Sequence, residues 1–529
     1  MNRSRSQTEV LVIGSGIAGS SAALTLAEKG VHVTLLTTAD TLFSGNSRLA
    51  QGGVIYKSIE PGDQGRLEQD ILTAGHRLNY RRAVKQLARQ GPEILEETLL
   101  GAYPAPFAMK DGDYARAKEG GHGVARIIFC ADHTGLTIMQ TLAAAVERHE
   151  NIEVLTKRTA VDLLTTQHHG GHLDFKFSLD NQCVGAYVLN QHNNEVETIL
   201  AKSTLLATGG VGQIYLHTTN DRSSIGSGMA MAFRAHARTM DAEFIQFHPT
   251  TLFQRKGKYY RRFLISEALR GEGAKLVNAS GEPFMQRYDP RGDLAPRDIV
   301  TRAIIDELLA TGEDCVYLDA ARFVDCDLHS RFPTICENCA KIGVDPAKEP
   351  IPVVPSAHYF CGGILVDHRA RTTLDRLYAA GECACTGLHG ANRLASTSLL
   401  EGLVWGVSAA QDILSSQRRR HLTKKIVSSI PDWESPGTES NEDPALIAQD
   451  WASIRHTMWN YVGVTRTTRR LNRAFNDLRN IYKDIQDFYQ KTPLSKPIVD
   501  LFHGCQAAYI IAMAALRNKK SIGCHYRVD

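Results

Sequence analysis

The chain has 529 residues, 43% of them hydrophobic and 22% charged, with a formal net charge of +3. That length exceeds what one hydrophobic core usually organises and implies two or three domains, and the composition is that of a globular protein rather than a disordered or fibrous one. The small net charge excludes nucleic-acid binding through bulk charge, so a local positive field has to come from a few placed arginines, and an anionic substrate remains open.

Eleven cysteines are scattered through the chain without a secretory signal, the pattern of free thiols in a reducing cytosol. Cys336 and Cys339 have zinc or redox spacing, but no second pair follows, so two half-buried thiols on one helix turn is the simpler reading and no metal is expected. No segment approaches the roughly 18 consecutive apolar residues that a bilayer span requires, and no membrane contact is expected.

In chain order, residues 9–37 read as a βαβ unit: an apolar strand, then Gly14-Ser15-Gly16-Ile17-Ala18-Gly19, a helix of small residues and a second strand. Gly14 permits the tight turn, Gly16 lets a pyrophosphate approach the backbone, and Gly19 lets the helix pack on the strand. The acid that usually holds a ribose hydroxyl is missing from the end of the second strand, which reads Leu36-Thr37-Thr38-Ala39-Asp40. Next comes "SGNSRLAQGGV" at 44–54, whose only charge is Arg48. Asn46, Ser47, Ala50, Gln51, Gly52 and Gly53 suit another molecule lying against this backbone.

Short apolar strands ending in glycine recur at "STLLATGGVG" (203–212, with Ala207, Thr208 and Gly209) and from 377 onward, so the cofactor fold is discontinuous. In flavoproteins of this architecture a late strand ending in Gly-Glu, here Gly381-Glu382, reaches the middle of FAD. A helix starting near Ser396-Thr397-Ser398, with Leu399, would aim its N–H groups at the pyrimidine edge of the flavin and stabilise the reduced form's negative charge. Between these strands, histidines and arginines stand beside small residues in "KEGGHG" (118–123), "EFIQFHPT" (243–250), "ISEALRGEGA" (265–274), "LAPRDIV" (294–300), "PSAHYFCGG" (355–363) and "HGANRLAS" (389–396). Two histidines and two arginines can form fork and point contacts with two carboxylates. A polar stretch at 415–445 precedes a segment of helical apolar spacing, in which Trp451, Ile454 and Met458 are expected to face the core. The Arg418-Arg419-Arg420 run reads most simply as a solvated linker.

Across nearly the whole chain these motifs resemble the succinate dehydrogenase and fumarate reductase flavoprotein group and, within it, the L-aspartate-oxidising branch. The resemblance implies an α/β fold with a Rossmann-like FAD-binding domain in two segments (1–240 and 353–415), an inserted α+β capping domain (241–352) and a C-terminal helical bundle (430–529). It implies that His248, His358 and Arg393 hold the substrate carboxylates and that Ser266 adds a hydroxyl contact, with His122 grouped among the substrate contacts. It places Arg297 where the group has its proton-transferring arginine. A guanidinium is normally never deprotonated, so two roles are open to Arg297: a relay with neighbouring carboxylates, or orientation and charge stabilisation.

Two positions separate the branches. Where the membrane-associated members carry a histidine bonded covalently to flavin, this chain has Asn46, an amide that cannot form that bond, so FAD is expected to be non-covalent. Where they carry phenylalanine before Gly-Gly, this chain has Glu119, able to pair with an ammonium. The implied reaction is hydride transfer from Cα of L-aspartate to flavin N5, giving iminoaspartate, with oxygen or fumarate as electron acceptor. It would be the first step towards quinolinate and NAD, with quinolinate synthase a transient partner; a soluble fumarate reductase or succinate-oxidising flavoprotein is the rival reading. Two departures from the group are Ser227 for an FAD-contacting aspartate and Ile522 for an arginine; the charge lost at Ser227 predicts weaker FAD retention.

Overall fold

The computed structural model describes residues 5–254, 261–435, 437–439 and 444–529. Strand β1 (Arg5–Ile13) ends at Gly14, whose φ of 116° turns the chain directly into helix α1 (Ile17–Ala27). Gly19 lies so close to the Gly14 carbonyl that a Cβ could not be accommodated, which lets α1 pack tightly on the sheet. The chain continues through β2 (Val33–Leu36), β3 (Ile152–Leu155), β4 (Arg158–Thr165), β5 (Cys183–Asn190) and β6 (Glu195–Leu206). These strands form one sheet in the order β3-β2-β1-β6-β5-β4, parallel from β3 to β6 and antiparallel from β6 to β4.

The inserted unit contains β7 (Ile245–Leu252), β8 (Lys275–Val277), α2 (Arg297–Thr311), β9 (Val316–Asp319), α3 (Pro333–Ala340) and β10 (Ile351–Phe360). Its four strands pair antiparallel in the order β7-β10-β9-β8 and bury a core of their own that includes Leu252, Phe284, Leu318 and Val353. The expected boundary at 352/353 therefore falls inside a strand. Val353 belongs to the cap core, and β10 runs on to Phe360, opposite Ile245, so its pairing with β7, interrupted by two register shifts, carries the chain back to the cofactor fold.

Strand β11 (Leu377–Ala379) then joins the main sheet parallel to the end of β6, pairing Ala379 with Leu206. Gly14, Ala207 and Ala380 thus follow the carboxyl ends of adjacent parallel strands, the edge where ligands bind in open α/β sheets. Helix α4 (Thr397–Ser416) follows and contacts α1: a Cβ on Gly402 or Gly406 would press against Ile17 or Ala18.

The C-terminal region is α5 (Pro444–Tyr461), α6 (Thr468–Lys491) and α7 (Lys496–Arg517). The helical stretch read from 451 onward is two helices, broken at the Gly463 turn. Ile454 and Met458 are fully buried and Trp451 half-buried. Residues of this region, among them Ile454, Leu471 and Ile511, share one apolar cluster with Leu11 and Trp405, so the helices complete the core of the cofactor fold rather than forming a separate one. Helix α7 has the length and hydropathy of a membrane span, but 78% of that window is buried inside the protein. The polar linker is also partly anchored. Ile426 and Ile430 pack against Val161 and Leu164, and Arg420, expected to be solvated, donates to Tyr378 Oη at 2.8 Å and Ser203 Oγ at 2.9 Å. The eleven cysteines are free, with Cys336 and Cys339 both buried on α3, more deeply than the half-buried pair expected.

Candidate active site

A cavity of about 1100 Å³ opens at the carboxyl edge of the main sheet and extends under the cap. That volume is at or above the upper end of ordinary small-molecule sites, as a dinucleotide together with a substrate would require. Gly14, Ser15, Gly16 and Ala18 line it, whereas Gly19 does not and serves only the packing of α1. The 44–53 loop is tied to the start of α1 where Ile17 N donates to Ser47 Oγ at 3.1 Å, and Asn46, Ser47, Ala50, Gln51, Gly52 and Gly53 all face the cavity. Ala207, Thr208, Gly209, Glu382, Ser398 and Leu399 complete the wall.

Asn46 is held at both ends of its amide: Nδ2 donates to Glu382 Oε2 at 3.1 Å, and Oδ1 accepts from Asp221 N at 2.7 Å. Desolvation pushes the Glu382 carboxyl up to about 7, against the opposing pull of its hydrogen bonds from Asn46 and Phe360 N. Helix α4 begins after Ser396, which has φ 57° and does not cap it through its side chain, so the first N–H groups of the helix stand at the cavity wall beside Ser398.

These residues fit FAD. A Cβ on Gly14 would collide with the Ala207 carbonyl, leaving a bare backbone cradle at a helix N-terminus for the pyrophosphate. The loop holding Asn46 presents amide chemistry, not an imidazole, to the cofactor.

At the far end of the cavity the cap supplies the polar groups. His248 on β7 and His358 on the adjacent β10 have ring centroids 5.5 Å apart. His248 Nδ1 lies 3.1 Å from Thr250 O, and His358 Nδ1 lies 2.9 Å from Thr219 Oγ1. Burial, reinforced by Arg297 at His248 and by Arg393 and Arg297 at His358, drives both pKa values well below 6.5, so both rings are neutral. Arg297 is the first residue of α2, set there by Pro296 ahead of it. Arg393 Nε donates to Gln246 Oε1 at 3.2 Å and Nη1 to Ser398 Oγ at 3.3 Å, and its guanidinium lies 4.5 Å from the centre of the Tyr359 ring. Two neutral imidazoles and two guanidinium groups make a site suited to a dianion.

Three further residues belong to this end. Arg297 Nε donates to Glu267 Oε2 at 2.7 Å, and that oxygen lies 3.9 Å from Nη2 of the fully buried Arg270. Burial raises the Glu267 carboxyl, but Arg297 and Arg270 together outweigh it and hold it below the usual carboxylate range. Glu267 and Arg270 lie within "ISEALRGEGA", one and four residues after Ser266. Gln246 lies two residues before His248 on the same strand, and strand periodicity places both on one face. Glu119 and Ser266 also line the cavity, and Glu119 Oε2 accepts from Ser396 Oγ at 2.7 Å. His122 does not reach it. The ring is buried behind the wall, with Nδ1 2.9 Å from Arg126 Nη1 and Nε2 3.0 Å from Ala395 O, so its expected substrate contact gives way to support of the 118–123 loop.

The neutral histidines have a measurable consequence. Those of His248 and His358 are depressed, and His217 and His503 are lowered by burial to about 3. With folded values below the unfolded 6.5, the unfolded chain binds protons that the folded chain refuses, so the stabilisation is present above about 6.5 and is lost as pH falls. Glu382 and Asp241, raised by burial to about 7 and about 6, act in the opposite sense but are fewer. The melting temperature of the flavin-free protein is therefore expected to fall between about pH 7 and pH 5; an unchanged or rising value would contradict neutral buried histidines.

A model of an FAD binding domain matches residues 9–399, and a model of the fumarate reductase flavoprotein C-terminal region matches 451–529. The L-aspartate oxidase of Pseudomonas aeruginosa is 41% identical over 99% of this chain and 95% of its own length. The chain belongs to the L-aspartate oxidase family. A second member, from Yersinia pestis, is 41% identical over 99% of this chain and 96% of its own. The family shares its fold with an E. coli quinol fumarate reductase chain, superposed with a TM-score of 0.86 at 27% identity over 99% of this chain and 92% of that one. FAD is accordingly the cofactor. Of the two departures, Ser227 lines the cavity as a neutral hydroxyl, while Ile522 packs beside Phe244 and Tyr359 away from it.

Proposed function

We propose that this L-aspartate oxidase family member converts L-aspartate to iminoaspartate, with Arg393, His248 and His358 gripping the two carboxylates and Glu119 receiving the ammonium. The observation that carries this reading is a carboxylate, Glu119, lining the same cavity as Arg297, Arg393 and the neutral His248 and His358. A dicarboxylate without an amine has no use for it.

Bound FAD supplies the acceptor for the hydride that leaves Cα. The chain's own contribution is orientation: both carboxylates fixed from the cap and from Arg393, and the amine drawn towards Glu119, which Ser396 holds in place. Glu119 is the acceptor assigned to the proton lost from nitrogen. Fumarate carries the same two carboxylates and fits the same grip. When it takes up the electrons, carbon also needs a proton; we assign its delivery to Arg297, with Glu267, bonded to Arg297 Nε at 2.7 Å, as the neighbouring carboxylate through which a proton returns.

Iminoaspartate leaves for condensation towards quinolinate, with quinolinate synthase as a transient partner in the cytoplasm. The pure protein, given L-aspartate in air, is expected to form one hydrogen peroxide per oxaloacetate released by imine hydrolysis, and with fumarate in the absence of air one succinate per oxaloacetate. Failure to form oxaloacetate under both conditions would refute the reading.

A further inference from the structure

The ribose end of the dinucleotide cradle lacks its usual acid. Thr37 and Thr38 follow β2 there, Thr38 Oγ1 lies 3.0 Å from Thr159 Oγ1, and Asp40 turns away to pair with Lys157 at 2.8 Å. Among the described residues five acids line the cavity. Glu119 and Glu267 belong to the catalytic end, Glu382 is bonded to Asn46 in the middle of the cofactor wall, and Asp132 is bonded to Thr334 at the cap. The fifth is Asp500, on the C-terminal helix α7.

Its position follows from its neighbours. His503, one turn later on α7, places Nε2 3.0 Å from Val161 O, and Arg234 Nη2 donates to the same carbonyl at 2.9 Å, so this face of α7 is fastened to β4. The two β4 residues just upstream, Thr159 and Ala160, line the cavity beside Thr38, as do Asp500 and Lys496. Lys496 bonds to Asp500 one turn apart, aligning the carboxylate. An exposed pair of this spacing would do little, but this one closes the adenosine end of a cofactor site.

We propose that Asp500, aligned by Lys496, is a direct ligand of the adenosine half of FAD, accepting a hydrogen bond from a ribose hydroxyl or the adenine amino group. The C-terminal helix thereby takes over the role that the end of β2 leaves vacant, and cofactor binding fastens α7 to the dinucleotide fold. Burial raises the Asp500 carboxyl against the pull of Lys496.

The test uses Asp500→Asn and Asp500→Ala in the full chain. Two quantities are followed: FAD loss from the holoprotein on dilution, by flavin fluorescence, and ADP binding to the flavin-free chain. Loss of a charge-assisted hydrogen bond predicts about tenfold weaker ADP binding and faster FAD release, with the melting temperature of the flavin-free chain unchanged in the isosteric Asn variant. Wild-type ADP affinity in both variants would overturn the proposal. So would a loss of affinity matched by a lowered melting temperature in both, which would make Asp500 a packing residue.

Discussion

Replacing Arg297 by leucine is expected to lower kcat for L-aspartate oxidation about 10²- to 10³-fold, and fumarate reduction by at least as much, while leaving the FAD content intact. Arg297 heads α2 at the cap end of the cavity, away from the glycine cradle, so its removal leaves the cofactor wall complete. What is lost is a preorganised charge worth about that factor in comparable sites and, for fumarate, the proton donor. The two reactions separate the roles. Glu267→Gln keeps a hydrogen bond to Arg297 Nε but removes the carboxylate that can return a proton, so it should depress fumarate reduction more than L-aspartate oxidation. An equal loss in both would mean that Glu267 only positions Arg297. Unchanged fumarate turnover in Arg297→Leu would remove the arginine from the mechanism.

The second large effect concerns selectivity. Glu119→Gln should reduce kcat/KM for L-aspartate about 10- to 100-fold, the range for losing a charged hydrogen-bond partner in an enclosed site, with fumarate reduction by an artificial donor changed less than about threefold. The carboxylate is preorganised: Ser396 Oγ bonds one oxygen, and the other lies against Gly52, where a Cβ would press on it. Glutamine keeps the shape and removes the charge. An equal fall with fumarate would show that Glu119 supports the cavity wall instead of the amine.

Apart from Gly19, the residues expected to hold the cofactor line one cavity because their constraints are local. A glycine that must adopt φ 116° between a strand and a helix is visible in a six-residue window, and the 44–53 loop lies against the cofactor site through its own backbone. The polar half depends on distant contacts, and there the reading was uneven. His248, His358, Arg297 and Arg393 come together as expected, but the partners that tune them, Glu267 on Arg297 and Gln246 on Arg393, are set by side-chain geometry that no spacing reveals. His122 shows the converse: it sits in a glycine-rich motif beside Glu119, yet its ring turns inward to Arg126. The expected domain boundary at 352/353 falls inside β10, because the pairing of that strand with β7 is a contact between distant segments that the motifs do not show. Asp500 was invisible for the same reason, lying more than 450 residues from the βαβ unit whose cavity it lines.

The central claim is that this cavity selects a dicarboxylate bearing an amine. Its most direct test is anaerobic titration of the purified holoprotein with L-aspartate and, separately, with succinate, following flavin absorbance. The account predicts full bleaching by L-aspartate and none by succinate at the same concentration; bleaching by succinate, with L-aspartate inert, would contradict it and assign the site to succinate–fumarate chemistry.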